Sequence, residues 1–270
     1  MAKFNIAYSA RVHNGLVRRN NEDNLYTAGV SLPIASRDAP FAIDGSVAAP
    51  TVFAVCDGMG GEDDGELASQ IVVQVLAAAE PQLKSASFKE LPRLIQTTVD
   101  HVNAKIRELS GTARRIGTTL ALVVVQSNGV HCASIGDSRV YCLQRGVFWQ
   151  VTRDHTLAFE RQNQDIHGKS AHKLTRCIGI GGAYTAEHYS QIRGACRLLI
   201  CSDGLTDMVE SAAIEHVLRT TPRASAAADT LVSTALSNGG RDNATVVVLD
   251  IDSSRISLQG SIKQKMRREQ

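Results

Sequence analysis

Five acidic features of this 270-residue sequence stand where apolar runs end, each beside glycine or another turn residue. They are Glu22-Asp23 at the close of Arg18-Arg-Asn-Asn-Glu-Asp23, Asp57 after VFAVC, Asp137 in Ile135-Gly-Asp-Ser-Arg139, Asp203 after LLICS, and Asp242 in Gly239-Gly-Arg-Asp-Asn243. Aspartate is a poor strand former, and placing one after buried apolar residues risks desolvating its charge. One such residue reads as a turn cap; five in one chain ask for another cause. Carboxylates that converge at one end of a sheet repel one another unless cations hold them, so the pattern points to a metal site. The donors on offer are carboxylates, a glycine carbonyl and water, with no imidazole or thiolate at coordinating spacing. That set suits Mg²⁺ or Mn²⁺ and not zinc. Two such ions about 4 Å apart could share a hydroxide and an aspartate, giving a nucleophile at neutral pH.

The elements that must position these carboxylates can be read from periodicity. Residues 4–10 and 24–29 look like strands, and 31–50, with Pro33, Pro40, Asp44-Gly45 and Pro50, reads as a loop or hairpin. A buried strand over 51–56 stops at the turn Asp57-Gly-Met-Gly-Gly61. Helices are expected over 65–79, on Leu67, Ile71, Val75 and Ala78, and over 90–109, with Pro81 separating them. The period then changes to two: 118–126, 130–135, 139–143 and 147–151 form an antiparallel meander. Residues 153–184 are polar and poorly periodic, an excursion over the surface. Strands over 187–193 and 196–201, helices over 209–219 and 222–237 and a strand over 244–251 complete the order. Without βαβα alternation, the expectation is an α+β fold: an αββα sandwich of two antiparallel sheets flanked by helix pairs. It forms one domain over 1–252, followed by a polar, basic, solvated tail over 253–270.

Hydrophobic residues make up 43% and aromatics 4%, so the core must be built from Val, Ile, Leu and Ala. A net charge of +2, from 29 basic and 27 acidic residues, gives no pull toward nucleic acid. Cys56, Cys132, Cys142, Cys177, Cys196 and Cys201 have no CxxC or zinc spacing and fit a reducing, cytoplasmic setting. No apolar stretch approaches the roughly 20 residues that span a bilayer. The sequon Asn243-Ala-Thr245 is discounted, because Asp242 beside it belongs to the acidic set.

Other motifs join the acidic ones: Gly65-Glu66 and Ala68-Ser69 after the glycine-rich turn, Gly117-Thr118-Thr119, Thr152-Arg-Asp-His155 and Ser202-Asp-Gly-Leu205. In this order, over nearly the whole chain, they resemble the metal-dependent PP2C-type (PPM) serine/threonine phosphatases in their bacterial form. The resemblance implies hydrolysis of phosphoserine and phosphothreonine by a hydroxide bridging two Mn²⁺ or Mg²⁺ ions. It makes Asp57 the bridging carboxylate and the Gly58 carbonyl a ligand of one ion, with Asp203 and Asp242 on the other. Glu22 and Asp23 would bind through water. Asp137 would join Asp203 at a weaker third site, supported by Asp207, although a simple turn role for Asp137 stays open. Arg18 takes the place of the family's phosphate-binding arginine, with Arg19 the adjacent alternative.

Where many eukaryotic members carry a histidine proposed as general acid, this chain has Met59, which cannot donate a proton. A metal-bound water is the first candidate for that acid and His155 the second. Glu62, Asp63 and Asp64 are expected to begin the helix at 65, where carboxylates favour the positive end of the dipole. The implied partners are phosphoprotein substrates and a cognate serine/threonine kinase, with the enzyme a monomer. A pseudophosphatase binding module and a hydrolase of small phosphate esters are the alternatives. The intact ligand set argues against the first. A serine or cysteine hydrolase is disfavoured, since the sequence has no G-x-S-x-G elbow.

Overall fold

Residues 51–56 and the whole of strands β7 (Leu120–Gln126) and β8 (Gly129–Ile135) are buried on both faces. Strands of that kind need apolar partners above and below, which only an inner layer provides. The computed structural model, which describes residues 4–32, 39–60, 64–110, 115–161, 172–182 and 184–252, has this layering. One sheet runs β10 (Val147–Gln150), β9 (Arg139–Gln144), β12 (Cys196–Cys201), β13 (Ala244–Asp252), β1 (Asn5–His13), β4 (Phe41–Ala48). The other runs β11 (Glu187–Ile192), β8, β7, β5 (Thr51–Met59), β2 (Asp23–Thr27), β3 (Val30–Ser31), with β6 (Gly117–Thr118) against the end of β5. Every pairing is antiparallel.

Side-chain alternation divides the core into three layers. Phe53 and Val55 of β5 point between the sheets, onto Val123, Leu198, Ile200, Val247 and Leu249. Val52, Ala54 and Cys56 point outward under α1 (Asp64–Ser85) and α2 (Leu91–Ser110), against Ile71, Leu76, Ile95 and Val102. Leu199, Cys201, Val246 and Val248 face α5 (Ser211–Thr220) and α6 (Ala224–Ser237) on the far side. The result is the expected αββα sandwich. All six cysteines are free and buried. Among the described residues no helix is long and apolar enough to cross a membrane.

Four local expectations are corrected. The segment read as a loop or hairpin contains β4, an edge strand paired along its length with the distant β1 and alternately exposed. An edge strand needs partners on one side only, so Pro40 and Pro50, which flank it, do no harm. Pro81 does not end the first helix but lies inside α1. An interior proline costs about 3 kcal/mol; full burial of Leu83 beyond it returns a similar amount, about 1.5–3 kcal/mol. The Glu80 carboxylate also accepts from Tyr26 Oη at 2.7 Å and lies 3.7 Å from Lys84 Nζ. The buried stripe of α1 is Ala68, Ile71, Val72, Val75 and Leu76, whereas Leu67 and Ala78 are exposed. Two one-turn helices, α3 (Leu157–Glu160) and α4 (Asp203–Thr206), were not expected, because a single turn is too short to show a period. Glu62, Asp63 and the basic tail lie outside the described residues.

One buried pair sets a pH response. His131 Nε2 on β8 lies 3.2 Å from His188 Nδ1 on β11, with the Phe88 ring edge-on to His131. Burial, then His188, pushes His131 down to about 4; burial lowers His188 as well. Between pH 6.5 and 4 the unfolded chain therefore holds more protons than the fold does, so stability is full above pH 6.5 and declines as pH falls toward 4. His131→Leu should shrink the drop in Tm between pH 7.5 and pH 5 relative to wild type. An unchanged drop would show that this pair does not limit acid stability.

Candidate metal centre

The antiparallel registers bring the carboxylates to one end of the sandwich. Asp23, the first residue of β2, pairs across the sheet with Asp57, near the end of β5. In the other sheet Cys201 pairs with Val246, so Asp203 leaves the end of β12 where Asp242 enters β13. Asp137 occupies the turn between β8 and β9, and Glu22 immediately precedes β2. Together with Arg18, Gly58 and Met59, the residues Glu22, Asp57, Asp137, Asp203 and Asp242 line a cleft of ≈ 680 Å³, closed on the other side by Arg115, His172, Lys173, Cys177 and Ile180. Asp207 lies in an adjoining cavity of ≈ 320 Å³ that shares Asp137, Asp203 and His172 with the cleft. Asp23 does not line the cleft; it is buried beneath, its Oδ2 accepting from Ser202 Oγ at 2.7 Å and Thr245 Oγ1 at 2.6 Å.

Close packing places the backbone here. A Cβ on Gly58 would come within 2.0 Å of the Gly65 carbonyl oxygen, and one on Gly65 within 2.4 Å of Glu22 Oε1. A side chain on Gly58 would collide with the start of the α1 backbone and one on Gly65 would displace the Glu22 carboxylate, so the two glycines let α1 begin directly against Glu22. The Asn243 amide ties down the Arg18 loop: its Nδ2 donates to the carbonyls of Asn14 and Asn20, and its Oδ1 accepts from the Glu22 amide. An amide engaged three times and 4% exposed is no glycan acceptor. Thr119 holds both backbone polar groups of Asp57: its Oγ1 accepts from the Asp57 amide at 2.9 Å, and its own amide donates to the Asp57 carbonyl at 2.8 Å. Thr119 Oγ1 also lies 2.6 Å from Ser138 Oγ, beside Asp137.

The electrostatics are those of a carboxylate cluster without enough cations. Burial, then Asp203, Asp23 and Asp137, push Asp57 far above the usual carboxylate range. Burial and the neighbouring acids raise Asp23 to about 8 and Asp203 to about 6, and burial, then Asp203, raises Asp137. Burial raises Glu22 too. Asp57 and Asp203 line the same cleft and oppose each other's charge, a repulsion that a cation between them would relieve. Asp203 Oδ1 is buried with no hydrogen-bond partner among the described residues. Both features fit a hard divalent cation. Among the described residues no three His, Cys, Asp or Glu side chains stand close enough together to form a coordination shell as placed.

Arg18 is the nearest counter-charge. Its Nη2 donates to Asp242 Oδ2 at 2.6 Å, and its Nη1 lies 3.8 Å from Glu22 Oε2. Burial opposes its charge, but Asp242 and Glu22 outweigh that and raise its pKa. Arg19 is exposed and does not line the cleft.

Met59 faces the cleft, whereas His155 is turned away: its Nδ1 accepts from the Gly136 amide at 3.0 Å and its Nε2 lies 3.3 Å from Glu187 Oε1. That position corrects the reading of His155 as a general acid. The rest of Thr152-Arg-Asp-His155 is also spent on anchoring, since Asp154 grips Arg139 at 2.6 Å and Thr152 Oγ1 accepts from the Val140 amide. Sequence reasoning gave no role to Thr119, Asn243, Ser202 or Thr245. The signal was present, because Thr119 lies in the quoted Gly117-Thr-Thr119 motif and the other three adjoin or lie within motifs that carry an aspartate. The imidazole that does line the cleft, His172, had no such signal.

Residues 35–238 match the family described as Protein phosphatase 2C. Serine/threonine phosphatase stp of Listeria innocua is 31% identical over 252 residues, covering 89% of this chain and 94% of the relative. Serine/threonine protein phosphatase PstP of Mycobacterium tuberculosis is 32% identical over 254 residues, 91% of this chain but 45% of that longer protein. Among solved structures, the catalytic domain of PstP in complex with two manganese ions superposes with a TM-score of 0.74 at 31% identity, covering 92% of this chain and 99% of that one. By the extent of these matches and by its αββα architecture, the chain belongs to the protein phosphatase 2C family.

Proposed function

We propose that this protein is a metal-dependent serine/threonine phosphatase that removes phosphate from phosphoproteins. The observation that carries the reading is the convergence of Glu22, Asp57, Asp137, Asp203 and Asp242 on one cleft, with Asp23 buried beneath it and Asp203 Oδ1 without a hydrogen-bond partner among the described residues. The same chemistry is supported by the two manganese ions held by the catalytic domain of PstP. Asp57, the Gly58 carbonyl, Asp203 and Asp242 would hold two Mn²⁺ or Mg²⁺ ions, Glu22 and Asp23 would order their water, and Asp137 would serve a third, weaker ion. When bound, the ions supply Lewis acidity and bring hydroxide within reach at neutral pH.

The remaining work falls to the chain's own side chains. Arg18, on the same wall as Asp242, offers a planar fork for two phosphate oxygens and offsets charge as it develops. Thr119 keeps the Asp57 backbone in place, and Asn243 keeps the Arg18 loop closed against Glu22. The leaving serine or threonine oxygen needs a proton. Met59 has none to give and His155 is turned away, whereas water and the cleft-lining His172, Lys173 and Cys177 all carry protons.

The finer parts of the reading are a cognate serine/threonine kinase that makes the substrate, a monomeric enzyme and a cytoplasmic location. Six cysteines without a disulfide support the last. The test is phosphate release from phosphothreonine and phosphoserine peptides. Activity should vanish after EDTA treatment and return with Mn²⁺. Full activity after exhaustive chelation, with metal content checked by elemental analysis, would refute the metal-dependent mechanism.

A further inference from the structure

We propose that His155 is a positioning residue for Asp137, and that through Glu187 it joins the outer-ion ligand to both arms of the 153–184 excursion. The proposal rests on the phosphatase reading above, in which Asp137 serves the third ion. Residue 155 holds the peptide before Asp137 twice: the Gly136 amide donates to His155 Nδ1, and the His155 amide donates to the Gly136 carbonyl, both at 3.0 Å. An amide can donate only to an unprotonated ring nitrogen, so the imidazole proton sits on Nε2. That nitrogen lies 3.3 Å from Glu187 Oε1, at ion-pair distance but without the alignment of a hydrogen bond. Burial keeps the ring neutral, as this arrangement needs.

Glu187 is also the junction of the excursion. It accepts from Tyr189 Oη at 2.7 Å and lies 3.4 Å from Arg176 Nη1, while Arg176 Nε lies 3.4 Å from Glu160 of α3. The outgoing and returning arms are tied further by the Leu157 amide on the Lys173 carbonyl and the Thr175 amide on the His155 carbonyl. On the other side of Asp137, Ser138 meets Thr119, which holds Asp57. The Asp137 turn thus sits between two clamps, one leading to the excursion and one to Asp57. Gly136, at φ +100, takes a backbone conformation and a closeness to Thr119 that a side chain would not allow. Partners that bond a metal ligand directly are worth about 10–100-fold in metal affinity, and a brace on the residue before the ligand should act at the lower end of that range.

The experiment counts Mn²⁺ by calorimetry and electron paramagnetic resonance on wild type, His155→Ala, His155→Asn and Glu187→Gln, with Tm and circular dichroism measured on each. Asparagine places an amide oxygen near the Nδ1 position, so it keeps the acceptor for Gly136 and loses only the reach to Glu187. His155→Ala should weaken the outer class of Mn²⁺ by about tenfold and leave the inner class unchanged. His155→Asn should recover most of that loss, and Glu187→Gln, which touches nothing in the cleft, should weaken the same class by a smaller factor. Unchanged Mn²⁺ binding in His155→Ala, or an equal loss of both classes and of Tm in the Ala and Asn variants, would overturn the proposal. A wild type with two tight ions and no weaker class would also overturn it while leaving the phosphatase reading intact. A wild type that binds no ions would remove both.

Discussion

Asp57→Asn should lower turnover by about a thousandfold or more, roughly 4 kcal/mol of transition-state stabilisation, and should abolish tight Mn²⁺ binding. The same variant should be at least as stable as wild type when both are stripped of metal. The two expectations share one cause. Asp57 is a half-buried carboxyl in the field of Asp203, Asp23 and Asp137, and without a cation that repulsion is a cost to the fold. Asparagine keeps the volume, removes the charge and offers an N–H to Asp203. It cannot serve as an anionic ligand shared by two ions. Thermal melts in EDTA and in Mn²⁺ separate the effects: wild type should gain Tm with Mn²⁺ and the variant should not. Undiminished Mn²⁺-dependent turnover in Asp57→Asn would remove Asp57 from the centre of the mechanism.

Arg18→Ala should lower kcat/KM on a phosphothreonine peptide by about a hundredfold or more, some 2–4 kcal/mol, and should leave Mn²⁺ affinity undiminished. The structure sharpens the second half. Arg18 donates to Asp242 at 2.6 Å, so it competes with any cation for that carboxylate. Removing it should make binding near Asp242 equal to or tighter than wild type. Arg19→Ala is the comparison, since Arg19 is exposed and does not line the cleft; it should stay near wild-type activity. Loss of the ions in Arg18→Ala, or equal effects of the two variants, would contradict a phosphate-clamp role.

The sandwich was legible in the sequence because its inner strands bury both faces. Continuous apolar runs such as LALVVVQ allow no half-exposed strand, and the change from helical to two-residue period marks where the helix layer ends. The carboxylates were legible for a related reason. An aspartate closing such a run is expensive to bury, so its repetition at Asp57, Asp137 and Asp203 signals a purpose the fold alone does not supply. The locations of β4 and of the end of α1 were not legible, because each depends on a neighbour distant in sequence. β4 exists because β1 offers an edge, and α1 runs past Pro81 because Leu83 finds a buried site.

By itself the sequence determined the ingredients: the acidic residues, the strand ends that carry them, the absence of an acid at Met59, and the hardness of the cation that such donors suit. Tertiary structure alone decided how those ingredients are used. It separated Arg18 from Arg19 by facing one into the cleft, sank Asp23 beneath the cleft floor, and turned His155 from a candidate acid into a brace behind Asp137. The physical reason is that a residue's type sets what it can donate, accept or ligate, whereas its role depends on which atoms lie within about 3 Å of it. Those atoms arrive from strands paired across the whole chain, as when Asp242 meets an arginine 224 positions earlier.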